Sequence, residues 1–372
     1  MKKVLLATAM TAALISSAQA EVRINGFANV VVGSTGSDES LYGYDDNFSF
    51  SEESLFALQA SSDINERMTA TVQILARGVN DYDVDFEWAY VTYQATNTTS
   101  ISAGRFRVPL FRFSDSLDVG YSHHWVAAPR NVYDVPFNDL DGFRFDYSDF
   151  VGDWQVSVGA AVGTFDNEVS GGDIEGDNTY MVSAEVANDW LSLRTVYGRS
   201  KVTFSQPQLD PVVDQIAQAA PELGEFLRMN DDTAEFYGVG LEADLSSFFF
   251  GAEYTEIEIA DSYTPTDTAW YVTAGFRAGN WTPSITYESF EGDEVKGLDQ
   301  LNALPPQLAA GLRPAVLGIN AQFAESFTVA TATLRYEFDA NVALKADVSR
   351  YTDELRNDEE STLVRFAINY VF

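Results

Sequence analysis

Residues 362–372, the end of the chain, alternate in character. Thr362, Val364, Phe366, Ile368, Tyr370 and Phe372 take the even positions, and Leu363, Arg365, Ala367, Asn369 and Val371 the odd ones. A period of two belongs to an extended strand, whose successive side chains leave on opposite faces. One face is apolar and aromatic; the other carries Arg365 and Asn369. The pattern recurs upstream. Ala330, Ala332, Leu334, Tyr336 and Phe338 oppose Thr331, Thr333, Arg335 and Glu337, and Val342, Leu344, Ala346 and Val348 oppose Lys345, Asp347 and Ser349. Phe143, Phe145 and Tyr147 likewise oppose Arg144 and Asp146, and Trp270, Val272, Ala274 and Phe276 oppose Thr273 and Arg277.

Followed along the chain, alternation and turn residues predict sixteen strands. They lie near 22–33, 48–61, 66–77, 85–95, 99–107, 141–149, 153–164, 178–187, 190–204, 233–245, 248–260, 267–278, 281–290, 326–338, 342–353 and 361–372. Long connections (34–47, 78–84, 108–140, 165–177, 205–232, 261–266, 291–325 and 354–360) take turns with tight ones such as Asn97-Thr98, Asn188-Asp189 and Gly279-Asn280. Alternating strands fit a soluble sheet with one wet face, or a membrane barrel with apolar residues toward lipid and polar ones toward a lumen. The sorting of long loops to one rim and short turns to the other favours the barrel. So do the aromatics at the ends of the apolar face (Tyr370, Phe372, Tyr336, Phe338, Trp154 and Trp270), placed as interfacial girdles. The predicted fold is therefore all-β, a 16-stranded antiparallel transmembrane β-barrel. Its lumen is too wide for strand side chains to fill, which implies an aqueous channel. An even strand count puts both termini on the short-turn, periplasmic side.

Two long loops carry helical spacing. Val212, Ile216, Ala219 and Leu223 recur in 207–229. Leu298, Leu301, Leu304, Leu308 and Leu312 recur in 297–321, where Pro305 and Pro306 must interrupt the helix. Both segments are expected to pack against neighbouring loops as surface lids.

Composition narrows the setting. Residues 1–20, MKKVLLATAMTAALISSAQA, join a basic start, an apolar stretch and a small-residue cleavage site, the order of a secretory signal peptide. Residues 21–372 are then the barrel domain. The chain has 56 acidic against 22 basic residues and a formal charge of −34, so it is a poor partner for nucleic acid. It has no cysteine, which excludes disulfides, thiolate zinc sites and cysteine nucleophiles. After residue 20 no run of 18 apolar residues occurs, which leaves the strands to cross a membrane. Nothing in the pattern calls for a cofactor.

The candidate chemistry concentrates in residues 104–125, GRFRVPLFRFSDSLDVGYSHHW, with Arg105, Arg107, Arg112, Asp115, Asp118 and the two histidines of the chain, His123 and His124. Adjacent residues of an extended chain point apart, so the pair is poorly placed to share a metal ion. A packing or polar loop role is expected for it, and no catalytic or metal site is assigned. Arg77, Arg144, Arg194, Arg277, Arg335, Lys345 and Arg365 have the phase of the lumen, as do the acids Asp146, Glu185, Glu242, Glu253, Glu288, Glu337 and Asp347. A charge facing lipid at mid-depth costs about 2–4 kcal/mol, which supports that assignment. Arg77, Arg105, Arg107 and Arg144 flank the base of the long third loop, as a basic wall facing Asp115 and Asp118 on the loop; Asp134, Asp139 and Asp141 lie near its end. Arg105 and Arg107 share their phase with the lipid-facing Ile101 and Ala103, so a bulge at Gly104 is expected to turn them inward. Acids in the outer loops (Asp38, Glu39, Asp45, Asp46; Asp173, Glu175, Asp177; Asp358, Glu359, Glu360) form a solvated face, suited to divalent cations that bridge to anionic lipopolysaccharide.

The signal peptide, sixteen alternating strands, terminal RFAINYVF and long third loop together resemble the trimeric general porins of Gram-negative outer membranes. The resemblance spans the whole mature chain. It implies a third loop, 108–140, folded into the lumen to narrow it, opposed charges that set ion preference, and Phe372 as the assembly signal. It also implies a homotrimer in the outer membrane, in contact with lipid and lipopolysaccharide, and passive diffusion of small hydrophilic solutes and ions. Weak cation preference is expected, because the net negative charge outweighs the arginine wall. A substrate-specific channel and a surface-interaction barrel (adhesin or receptor) are the alternatives.

Overall fold

The computed structural model describes residues 21–37, 40–135, 137–169, 171–356 and 359–372. The predicted signal peptide, and Asp38, Glu39 and Asp358 of the acidic clusters, lie outside the described residues. The strands are β1 (Val22–Ser34), β2 (Leu55–Asn65), β3 (Met68–Arg77), β4 (Val84–Gln94), β5 (Thr99–Arg107), β6 (Asp139–Val151), β7 (Trp154–Val169) and β8 (Gly172–Ala187). They continue with β9 (Leu191–Ser205), β10 (Met229–Asp244), β11 (Phe248–Ile259), β12 (Asp267–Phe276), β13 (Trp281–Gly292), β14 (Glu325–Asp339), β15 (Val342–Asp353) and β16 (Glu359–Val371). Each pairs antiparallel with the next, and β1 pairs with β16, so the sheet is a closed barrel. Closure satisfies every strand edge from within, the condition for a sheet to cross hydrocarbon.

The seam runs from Phe27 opposite Val371 to Ser34 opposite Val364. At its end Gly26 and Phe372 exchange two backbone hydrogen bonds of 2.9 Å, and the Phe372 ring lies over Gly26, where a Cβ would sit 2.4 Å from it. The same ring stacks near Phe56 at 6.2 Å. Phe372 thus closes the barrel by packing as well as by pairing.

The two faces separate as their alternation requires. Phe143, Phe145, Leu334, Phe338, Val348, Phe366 and Ile368 are exposed on the outside. Arg335, Lys345, Asp347, Arg365 and Asn369 point inward and are buried, because the third loop covers them. The inner wall is not polar throughout, however. Met181, Val196 and Phe236 on β8–β10 face inward and join an apolar cluster with Phe111, Trp125 and Tyr133 of the third loop.

Two expected boundaries are corrected. Residues 48–54 were expected in strand but precede β2 as an irregular segment, in which Ser49 and Ser51 bond to Glu52 and Ser54 bonds to the backbone of Val31. Short hydroxyl and carboxylate side chains offer the backbone an alternative to the ladder. Of residues 165–177, expected as a loop, 165–169 extend β7 and 172–177 extend β8 instead, with Phe165 paired to Gly176 and Val169 to Gly172.

Among the described residues five α-helices sit in the connections. α1 (Arg130–Tyr133) belongs to the third loop; α2 (Asp210–Ala219) and α3 (Pro221–Phe226) follow β9; α4 (Leu298–Asn302) and α5 (Pro306–Phe323) precede β14. Pro306 opens α5, where its missing N–H removes no helical bond. Val213, Ile216, Leu223, Leu301, Val316 and Ile319 of these helices enter the same cluster as the third loop. The lid is therefore continuous with the plug beneath it.

Candidate functional site

The third loop, 108–138, crosses the lumen and is tied to wall strands on nearly all sides. Its Arg112 guanidinium donates to Glu185 on β8 at 2.9 Å and to Glu242 on β10 at 2.8 Å, while its backbone N–H donates to Glu253 on β11 at 2.9 Å. Tyr133 donates to the same Glu253 at 2.5 Å. His124 bonds Thr273 on β12 at 3.0 Å, and the Trp125 indole donates to Thr286 on β13 at 2.9 Å. Asn131 donates to the carbonyls of Trp270 and Ser289 at 2.7 and 2.8 Å. On the far side, Asn29 of β1 donates to the Asp118 carbonyl at 2.8 Å.

The basic residues assigned to the lumen bind this loop or their neighbours. Lys345 donates to the carbonyls of Gly120 and Trp125, each at 2.5 Å. Arg335 donates to the carbonyls of Tyr121 and His123 and pairs with Glu337. Arg194 donates to the Pro109 carbonyl and lies 3.9 Å from Glu185. Arg144 bridges Asp146 at 2.9 Å and Asp115 of the loop at 3.3 Å. Arg365 is held between Asp347 at 2.8 Å and Glu53 at 2.7 Å, the latter delivered by the irregular segment before β2. Arg277 pairs with Asp244 at 2.8 Å on the short-turn rim, apart from the loop base. Each of these cations meets a carboxylate, a loop carbonyl, or both.

Arg77 and Arg107 converge on one buried knot. Arg77 makes two 3.0 Å bonds to Glu87 and lies 3.3 Å from Asp118. Arg107 pairs with Glu87 and, at 2.6 Å, with Asp118. Burial alone would raise the Asp118 carboxyl, but Arg107 and Arg77 outweigh it and hold it below the ordinary range. Asp134 pairs within its own helix turn to Arg130 at 2.7 Å.

Arg105 is a correction. It lies on the outer face, 46% exposed, and pairs at 2.7 Å with Asp141 of β6, which is equally exposed. Gly104 makes no bulge: β5 stays in register with β4 through Arg105 and with β6 through Arg107. Its φ of +129° and the Ala89 carbonyl, 2.2 Å from where a Cβ would sit, explain the glycine by backbone geometry and close approach. The extra residue is on the neighbouring strand. Opposite Gln73 and Ile74, β4 contributes Trp88 and then Phe86, so Glu87 is unpaired and turns into the knot. The signal was in the sequence: apolar phase passes from Val84 and Phe86 to Ala89, Val91 and Tyr93.

The histidines are parts of the loop's own core. His123 bonds the Ser116 carbonyl at 2.7 Å and meets Phe113 edge-on at 5.2 Å; His124 lies 4.0 Å from the Trp125 ring and 4.6 Å from Phe249. Burial lowers both pKa values, that of His123 to about 4, with Lys345 and Arg335 pushing the same way. Both are neutral at pH 7. Arg112, Glu87 and Glu53, which organise much of the site, were not assigned these roles from sequence, because their partners come from distant strands.

Clefts of about 240 Å³ beside Arg77 and Asp118, 330 Å³ beside Tyr90 and Arg144, and 260 Å³ beside Phe249 and Arg277 flank the loop. The arrangement sets paired charges along clefts inside a sheet that turns an apolar surface outward. Comparison with known proteins agrees. The sequence matches the Gram-negative porin family over residues 5–354. No curated protein matches it. OmpF of Salmonella typhi, determined with daunomycin, superimposes with a TM-score of 0.57 at 15% identity, over 95% of this chain and 98% of that one. The trimer form of OmpT from Vibrio cholerae gives 0.55 at 12%, over 95% and 99%. The anion-selective porin of Comamonas acidovorans gives 0.56 at 13%, over 95% and 100%. A closed sixteen-stranded barrel with a loop bound across its lumen, and a family match over nearly its whole length, lead to one conclusion: this chain belongs to the Gram-negative porin family and is an outer-membrane channel.

Proposed function

We propose that the channel passes small hydrophilic solutes and ions by passive diffusion, with a weak preference for cations. One observation carries the preference: Arg77, Arg107, Arg112, Arg144, Arg194, Arg335, Lys345 and Arg365 are each engaged by carboxylates or loop carbonyls. Their charge is locally balanced, so the excess of 56 acidic over 22 basic residues sets the sign of the field. The residues of the expected constriction, Arg77, Arg107 and Arg144 with Asp115 and Asp118, act in this reading as opposed charges along the clefts. Arg105 is left out of the set. The reversal potential of reconstituted channels in a potassium chloride gradient tests the proposal: it should have the sign of cation flow, and Arg144→Ala should increase it. An anion-selective reversal potential overturns it.

We further read the protein as a homotrimer without catalytic chemistry. The trimer form of the Vibrio cholerae structure supports the first point, and the packing role of His123 and His124 supports the second. Divalent-cation bridging of the loop acids to lipopolysaccharide is part of the same reading. If it holds, EDTA should lower the thermal stability of the native oligomer in lipopolysaccharide-containing membranes.

A further inference from the structure

On the long-loop side, a cleft of about 900 Å³ opens between the first loop, the third loop and the upper ends of β11–β16. That volume is in the range of small-molecule sites. Four of its lining rings form a series. Phe290 of β13 stacks on Phe327 of β14 with centroids 5.3 Å apart and planes 10° apart; Phe327 meets Tyr351 of β15 at 5.0 Å; Tyr351 meets Tyr42 of the first loop edge-on at 6.4 Å. Ring faces carry negative potential and attract cations. The series already receives one: the Arg130 guanidinium of the third loop lies 4.4 Å from the Tyr42 centroid.

The polar lining holds two arginines, each paired with an acid of its own (Arg130 with Asp134, Arg356 with Asp353), beside further carboxylates. Asp267, at the start of β12, and Glu325, at the start of β14, flank Gly292, which pairs with Glu325 and leaves room for the Asp267 carboxylate where a Cβ would sit 2.4 Å from it. The charged groups acting on these two acids are other carboxylates: Glu325 on Asp267, and Asp134 and Asp353 on Glu325. Among the described residues neither acid forms a salt bridge, whereas the lumen arginines do. Carboxylates beside a run of ring faces leave a cation with an apolar or planar body as the complementary guest.

We propose that this cleft binds organic monocations, quaternary ammonium or guanidinium compounds carrying a flat apolar group, ahead of their passage toward the lumen. The rings take the cation's face and apolar body, and Asp267 and Glu325 supply the counter-charge, ionising as the cation enters beside them. Arg130 marks the handover, since it borders both this cleft and the one beside Arg77 and Asp118. The inference names a solute class for the channel proposed above and rests on that reading for its physiological meaning.

Binding is measured on the full-length chain refolded in a non-ionic detergent, by isothermal titration with benzyltrimethylammonium chloride, with sodium chloride and maltose as comparisons. The expected result is saturable binding of the organic cation, none of maltose, and about tenfold weaker binding in Glu325→Gln and in Tyr351→Leu. The leucine variant keeps bulk but removes the ring face, and gel mobility of the folded barrel confirms that each variant is native. Absence of saturable binding, binding unchanged in both folded variants, or preference for maltose overturns the proposal. Because the readout needs no ion flow, a conducting barrel that fails to bind refutes the cleft alone, and one that binds but does not conduct refutes the channel reading.

Discussion

Buried charge at single residues decides how firmly the third loop is held. Glu87 accepts from both Arg77 and Arg107, and its side chain is only 5% exposed. Removing one partner of a buried ion pair typically costs 3–5 kcal/mol, because the remaining charge is stranded. Glu87→Gln should therefore lower barrel stability by roughly 3 kcal/mol in urea unfolding from lipid vesicles. The histidines give a pH effect of definite sign. Docked in the loop, His123 titrates near 4; released to water it titrates near 6.5. Between these values the released loop binds a proton that the docked loop refuses, so docking is complete above pH 6.5 and weakens as pH falls toward 4. The full difference is about 3 kcal/mol. Single-channel current noise should rise over that window in the wild type and flatten in the His123→Gln/His124→Gln double variant. The sequence set Arg77 and Arg107 opposite Asp118 on the loop, but neither Glu87 between them nor the partners of the histidines was legible: alternation reports which face a residue takes, not which distant group it meets.

Elements were read more fully. The sixteen strands follow from alternation, because one face must meet lipid and the other the lumen. The failures have local causes. Residues 48–54 are rich in serine and glutamate that bond to one another and to Val31, and the β4 bulge carries no glycine, only a shift of apolar phase to mark it. Gly104→Ala should be poorly tolerated: a Cβ would meet the Ala89 carbonyl and the residue would keep a φ of +129°, a strain of order 1–3 kcal/mol visible as a lower gel-shift temperature. The loop's attachment depends on donors to its carbonyls. Lys345→Met would leave the Gly120 and Trp125 carbonyls without the ammonium, a loss of about 1–3 kcal/mol for each buried group. The barrel should still assemble, and the channel should show larger open-state current fluctuations.

At the scale of the whole molecule, the outer band sets the membrane position. Val348 sits midway along β15, half exposed, opposite Ala332 and Val364. Val348→Arg should destabilise the folded barrel by about 2–4 kcal/mol in vesicles, where a buried-side substitution of equal size would not carry the cost of a charge in hydrocarbon. The sequence by itself determined the architecture: a period of two and sorted loop lengths suffice, because lipid and lumen impose opposite chemistry on alternate residues. Only the tertiary structure decided what fills the barrel. Arg107 and Arg105 stand two residues apart, yet one enters a buried knot while the other faces outward beside Asp141. The difference comes from an extra residue on the adjacent strand and from a loop that brings Asp118 across the lumen. Such pairings depend on register between strands and on loop path, which no single strand's pattern contains.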